Sequence, residues 1–195
     1  SILAALTALF LALAMLAGGS DGTRAAETKT AIFAGGCFWC VEEAFDKVDG
    51  VTETVSGYAG GTKPDPTYGS HEGYVEAVKV TYDPAKVTYA KLVDNFWRNI
   101  DPFDPTGQFC DQGPAYRTVI FVDDDEERRL AEQTKEEIAA RFKQAVATEI
   151  KPVTTFTAAE EYHQDYHNLN PVSYKYYKWG CGRAQRLAEI WGKPS

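Results

Sequence analysis

Gly35-Gly36-Cys37-Phe38-Trp39-Cys40 sets one thiol between flexible glycines and two large aromatics, with a second thiol three residues further on. A thiolate is the nucleophile, and a free cysteine with pKa about 8.5 is only a few per cent ionised at neutral pH. Extended-type residues from Thr28 to Ala34 lead in, and Val41-Glu42-Glu43-Ala44-Phe45 leads out with helical spacing, which puts Cys37 at a strand-to-helix turn. The amides and partial positive charge of a helix start favour a thiolate there, so Cys37 is expected to be unusually acidic.

A candidate acid lies in the segment Tyr74 to Tyr82. Period-two alternation sets Tyr74, Glu76, Val78, Val80 and Tyr82 on one face of a strand, with Val75, Ala77, Lys79 and Thr81 on the other. Glu76 is the one carboxyl on the more apolar face, and burial there raises its pKa so that it keeps its proton near neutrality. A solvent-facing edge-strand glutamate is the alternative.

The elements that must position this pair alternate along the chain. The helix after Cys37 is expected to run to about Lys47, before the Asp49-Gly50 turn, and Val51 to Ala59 reads as a strand. Gly60-Gly61 and Pro64-Asp65-Pro66 make a loop, and Asp101 to Pro114 makes another. Thr88 caps a helix whose Leu92, Val93, Phe96, Trp97 and Ile100 form a core stripe. Tyr116 to Val122 reads as a strand, and Asp123-Asp124-Asp125-Glu126-Glu127 complements the dipole of the helix it opens. Leu130, Ile138, Phe142 and Val146 mark that helix's buried stripe, Pro152 to Phe156 a last strand, and Ala184 to Trp191 a final short helix. This alternation predicts a two-layer α/β arrangement around one sheet.

The chain has 195 residues, enough for one domain with a substantial core, and a formal charge of -8 that argues against nucleic acid or anionic membrane as partner. Ser1 to Ser20 carry no charge and contain an apolar run of about sixteen residues, short of the roughly 20 of a spanning helix. They read as the interior and exit of a secretory signal peptide, incomplete at its start. Residues 1–26 are therefore assigned as signal peptide and 27–195 as the mature domain, exported to the periplasm or secreted. Four cysteines in an exported domain would ordinarily suggest two structural disulfides, a sparse framework for a core of this size.

The hexapeptide with Glu42-Glu43 resembles the signature of the A-type peptide methionine sulfoxide reductases. Tyr68, Gly73-Tyr74-Val75-Glu76-Ala77-Val78, Asp111-Gln112-Gly113-Pro114-Ala115-Tyr116-Arg117 and Tyr162-His163-Gln164 follow in the family's order and at similar spacings. The resemblance covers Thr28 to the C-terminus. It implies an α+β fold with a ferredoxin-like two-layer core and a mixed sheet. It also implies reduction of the S epimer of methionine sulfoxide in proteins or peptides by a monomer, with no metal or organic cofactor and a thioredoxin-like reductant.

A sulfoxide is a poor electrophile until its oxygen is protonated, so a thiolate and an acid must face one S–O bond. The resemblance implies that Cys37 attacks sulfur, Glu76 protonates the oxygen, Tyr68 and Tyr116 donate hydrogen bonds to it, and Asp111 positions the polar groups. Phe38 and Trp39 are suited to wall the methyl end of the substrate, with core packing as their other reading. Cys37 becomes a sulfenic acid, which needs a resolving thiol. Cys40 is one helical turn away, although many family members carry glycine there. Cys181, between Gly180 and Gly182, resembles the family's mobile recycling cysteine and is preferred. Cys110 is a relay, a partner of Cys181, or a buried free thiol, and the last is taken. His163 reads as a satisfied structural histidine with its role open. Two rival classes are a thioredoxin-like disulfide isomerase, from the Cys37-x-x-Cys40 spacing, and a zinc module combining those cysteines with His163 and His167, whose halves lie far apart in the chain.

Overall fold

The structure, a computed structural model, describes residues 27–192; the expected signal peptide, residues 1–26, lies outside the described residues. The chain runs β1 (Lys29–Gly35), α1 (Phe38–Asp46), β2 (Val51–Ala59), β3 (Val75–Tyr82) and α2 (Tyr89–Arg98). A minimal hairpin follows, β4 (Gly107–Gln108) with β5 (Asp111–Gln112), and then a 3-10 turn at Pro114–Tyr116. After these come β6 (Thr118–Val122), α3 (Asp125–Phe142), β7 (Glu149–Pro152) and β8 (Phe156–Ala158). The chain closes with a 3-10 turn at Glu161–His163, α4 (Tyr166–Leu169), α5 (Pro171–Gly180) and α6 (Arg183–Trp191).

One six-stranded mixed sheet has the order β7-β6-β1-β3-β2-β8, with β6 and β7 parallel and the other neighbours antiparallel. Alternation decides what each face buries. Phe33, Tyr58, Val78, Val80, Tyr82, Ile120 and Val122 meet Val41 and Phe45 of α1, Leu92, Phe96 and Trp97 of α2, and Ala131 and Ile138 of α3 in the main core. Ile32, Ala34, Val75, Ala77, Val119 and Phe121 line a smaller core on the other face.

That second core exists because the sheet rolls. β7 and β8 sit at opposite edges yet are joined through residues 153–155 alone, a reach of ~13 Å in extended chain, whereas five strand spacings in a flat sheet span ~24 Å. The edges therefore approach each other, and Val153 N–H donates to Val122 O (3.0 Å) while Gly60 N–H donates to Thr155 O (3.4 Å). The expected strand Pro152 to Phe156 is thus mostly the connection between two strands. Pro152 has no N–H to continue the ladder.

Other expectations shift at their ends. The strand expected from Tyr116 starts at Thr118, and Tyr116 closes the 3-10 turn before it. Val146 lies beyond α3, which ends as Lys143 adopts φ 53°. The acidic opening of α3 is structural as expected: Asp124 accepts from Glu127 N–H (2.8 Å), and Glu127 accepts from Asp123 N–H (2.9 Å). α5 was not anticipated, although Asn170-Pro171 is a helix-start signal.

Candidate active site

Cys37 is the residue that caps the start of α1, and its carbonyl accepts from Cys40 N–H (3.1 Å) and Val41 N–H (3.3 Å). The pairing of β1 with β3 ends at Phe33↔Val78, two residues short of Glu76, so Glu76 lies under the turn by which β1 enters α1. Glu76 Oε2 accepts from the Phe38 N–H at 3.0 Å, and the carboxyl is 1% exposed. The turn itself needs glycine. Gly36 has φ 84°, and a Cβ there would stand 2.5 Å from Gln108 Cβ. Gln108 is fully buried and clamps the preceding loop, accepting from Asp101 N–H (2.8 Å) and donating to Asp101 O (2.7 Å).

Burial raises the Glu76 pKa to about 8, only partly opposed by the Phe38 amide and assisted by the charges of Asp111 and Cys40. The acid is therefore protonated at neutral pH, as the alternation of β3 predicts.

Cys37 is different from the expectation. Burial, followed by Cys40 and Glu76, pushes its thiol up, and the helix start does not prevail over desolvation. The acidic thiol of the pair is Cys40, held at about 6 by its hydrogen bond from Cys37 against its own burial, with help from Arg183, Tyr174 and Lys178. The two thiols titrate as a pair, with Cys40 the member favoured to ionise.

α5 supplies a tyrosine to each sulfur, three residues apart and hence on one helix face. Tyr177 hydrogen-bonds Asp111, which burial raises, and lies within hydrogen-bond reach of Cys37. Tyr174 donates to Glu43 (2.6 Å) and reaches Cys40. Sequence reasoning missed both. The i, i+3 spacing of Tyr174 and Tyr177 after Asn170-Pro171 was the available signal.

Tyr68 and Tyr116 come together. Tyr116 lies within hydrogen-bond reach of the Tyr68 hydroxyl, and burial, followed by the neighbouring Glu76 and Cys37, raises both phenols, which stay protonated. The Tyr68 loop is fastened by Glu160, which accepts from Tyr68 N–H (2.9 Å) and from the Tyr58 hydroxyl (2.9 Å). Phe38 is 1% exposed within the main core, while Trp39 is half-buried and stacks on Tyr166 at 3.8 Å between centroids.

His163 is only half satisfied. Its Nδ1 accepts from Trp39 Nε1–H at 3.2 Å, which fixes the indole and leaves the proton on Nε2, a buried atom without a partner. Gln164 pins the segment to β2 by accepting from Ser56 N–H (2.9 Å) and donating to Ser56 O (3.0 Å).

Cys110 is exposed and bonded to Cys181, with Cα atoms 4.8 Å apart, so the buried free thiol assigned to Cys110 is corrected. An irregular, accessible loop offers no apolar pocket for a lone thiol. Cys181 is accordingly engaged away from Cys37, whereas Cys37 and Cys40 are both free and buried. The zinc ligand set does not assemble among the described residues, because His163 is spent on Trp39 and His167 lies beside Glu42 and Asp46. Cys110, Asp111 and Cys181 do cluster, but their two sulfurs are bonded to each other.

Comparisons with known proteins agree with this constellation. The family model described as "Peptide methionine sulfoxide reductase" matches residues 29–195. "Peptide methionine sulfoxide reductase MsrA 2" of Caulobacter vibrioides is 47% identical over 186 residues, covering 93% of this chain and 94% of that protein. Mxr1 of Saccharomyces cerevisiae in its reduced form superposes with TM-score 0.69 at 32% identity, over 76% of this chain and 88% of Mxr1. Mxr1 in complex with Trx2 gives 0.54 at 28%, over 73% and 86%. With a buried thiol pair at the start of α1 and a protonated Glu76 beneath it, the chain belongs to the peptide methionine sulfoxide reductase family.

Proposed function

We propose that the chain reduces the S epimer of methionine sulfoxide in oxidised proteins and peptides, with Cys37 as nucleophile and Glu76 as proton donor. The observation that carries this assignment is a carboxyl 1% exposed, protonated up to about 8, hydrogen-bonded to the amide beside Cys37. As Cys37 attacks the sulfoxide sulfur, its proton passes to Cys40, and Glu76 protonates the oxygen. Tyr68 and Tyr116 donate to that oxygen as its charge develops. Methionine departs reduced by two electrons, and Cys37 is left as a sulfenic acid, oxidised by two. Cys40 then condenses with it, forming a Cys37–Cys40 disulfide and releasing water. Asp111 orients Tyr177 toward this pair.

The second disulfide suits the role of a relay. Cys110 is exposed, and Cys110–Cys181 can accept electrons from a thioredoxin-like protein and return them to Cys37–Cys40, in keeping with Mxr1 having been captured with Trx2. Export is proposed on the apolar segment Ser1 to Ser20 alone.

A single-turnover experiment tests the assignment. Chain with free Cys37 and Cys40 is mixed with a methionine-S-sulfoxide peptide without reductant, and thiols are trapped in acid. One methionine per chain and a Cys37–Cys40 disulfide are expected, with no product from Cys37→Ser. Product formation by Cys37→Ser overturns the assignment.

A further inference from the structure

A cleft of about 610 Å³ opens on the side of α1 away from Glu76, between α1, α2 and α6. Cys40 lines it; Cys37, Glu76, Tyr68 and Tyr116 do not. This is the size range of sites for small molecules. Its walls combine an apolar floor of Ala44, Ala184, Leu187 and Trp191 with four cations, Lys47, Arg98, Lys178 and Arg183. Glu43 is the sole carboxylate in the lining, and it is engaged by Lys47 (2.7 Å), Lys178 and Tyr174. Arg98 also pairs with Asp94 Oδ1 (3.4 Å) beside the cleft, so the four cations meet two carboxylates and positive charge remains in excess around the thiol, on a chain of formal charge -8. Arg183 is 3% exposed, with its guanidinium over the Phe109 ring and donating to Asn99 O, so this cation is built in rather than adventitious.

We propose that this cleft is a docking site for a small thiol bearing carboxylates, which reduces the Cys37–Cys40 disulfide by attacking Cys40. The inference rests on the assignment of Cys40 as the resolving cysteine. In the first step the incoming thiol bonds to Cys40 sulfur as its proton passes to Cys37, and the Cys37–Cys40 bond breaks with its electron pair leaving on Cys37, which departs as the neutral thiol that its burial favours. A second thiol molecule then attacks the adduct, releasing Cys40 thiolate and a small-molecule disulfide. Two thiols are oxidised and one protein disulfide is reduced. Because the cleft reaches Cys40 and not Cys37, it selects which sulfur is attacked, and Cys37 is the one regenerated. The cations supply the attraction for carboxylates.

The experiment compares monothiols as sole reductants at equal thiolate concentration: glutathione with two carboxylates, neutral 2-mercaptoethanol, and cationic cysteamine. Glutathione is expected to support sulfoxide turnover at least tenfold faster than cysteamine, with 2-mercaptoethanol between. In Lys47→Glu/Arg98→Glu the ratio of glutathione to cysteamine rates should fall at least fivefold, a quantity independent of how much protein is folded. Acid-quenched peptide mapping should find the glutathione adduct on Cys40. A ratio near one in the unaltered chain, an unchanged ratio in the variant, or an adduct confined to Cys37, Cys110 or Cys181 overturns the proposal. Failure of the underlying assignment looks different, since a single turnover without reductant would then leave Cys37 joined to a cysteine other than Cys40.

Discussion

Replacing Glu76 by glutamine keeps the shape and the acceptor for the Phe38 amide while removing the titrating proton. In the unfolded chain this carboxyl titrates near its ordinary 4.5, and in the folded chain near 8. Between those values the folded protein holds a proton that the unfolded chain has released, so stability falls as pH rises through that window. The full displacement corresponds, at 1.36 kcal/mol per pH unit, to about 5 kcal/mol, of which about 4 falls between pH 5 and pH 9. Glu42 is also raised to about 8 by burial, but it is present in both proteins and drops out of their difference. Urea unfolding of the two proteins at pH 5 and pH 9 should therefore show the glutamine variant gaining about 4 kcal/mol on the parent across that range. Sulfoxide turnover at pH 7, where about nine-tenths of Glu76 is protonated, should fall by 10²- to 10⁴-fold in the variant, the usual worth of a general acid. Parent turnover should decline above pH 8 as the proton is lost. A stability difference independent of pH refutes the raised pKa of this carboxyl, and a variant within threefold of parental turnover refutes its role as the acid.

Gly36→Ala should cost at least about 2 kcal/mol in urea unfolding, since the residue sits at φ 84° and the new methyl would meet Gln108 Cβ at 2.5 Å; a cost under about 1 kcal/mol would show that the Gln108 loop yields freely. The Cys110–Cys181 bond closes a separation of 71 residues, which the chain-entropy relation places at about 4 kcal/mol, so Cys110→Ser/Cys181→Ser should unfold at markedly lower urea than the oxidised parent, and coincident transitions would remove the bond's structural contribution.

What was legible in the sequence followed from short-range pattern. β3 reads as a strand because its residues alternate, and the same alternation places Glu76 among Tyr74, Val78 and Val80, so the site's acid and its protonation state follow from nine residues. Thr88 and the α2 stripe read equally well, because a cap and a 3.6-residue period are local: Thr88 accepts from Lys91 N–H at 3.2 Å. The roll of the sheet was not legible, because it depends on β7 and β8 choosing opposite edges, a matter of non-local pairing that Pro152 only hints at.

The acidity of the thiols failed for a related reason. A helix start is visible in sequence, and its effect on Cys37 was given its full value, but desolvation depends on how α5 closes over the pair, and α5 is joined to the site only through contacts more than sixty residues away in sequence, such as Tyr177 with Asp111. Burial raises a thiol and a carboxyl alike, so enclosure alone would leave Cys37 and Glu76 both neutral and the reaction without a nucleophile. Cys40 resolves that conflict. In the proposed reaction it takes the negative charge that burial disfavours on Cys37, and returns it by accepting the Cys37 proton as the sulfoxide is attacked. Acid and nucleophile thus remain in one dry pocket because the charge is stored one helical turn away, on the side of α1 that faces Arg183 and Lys178.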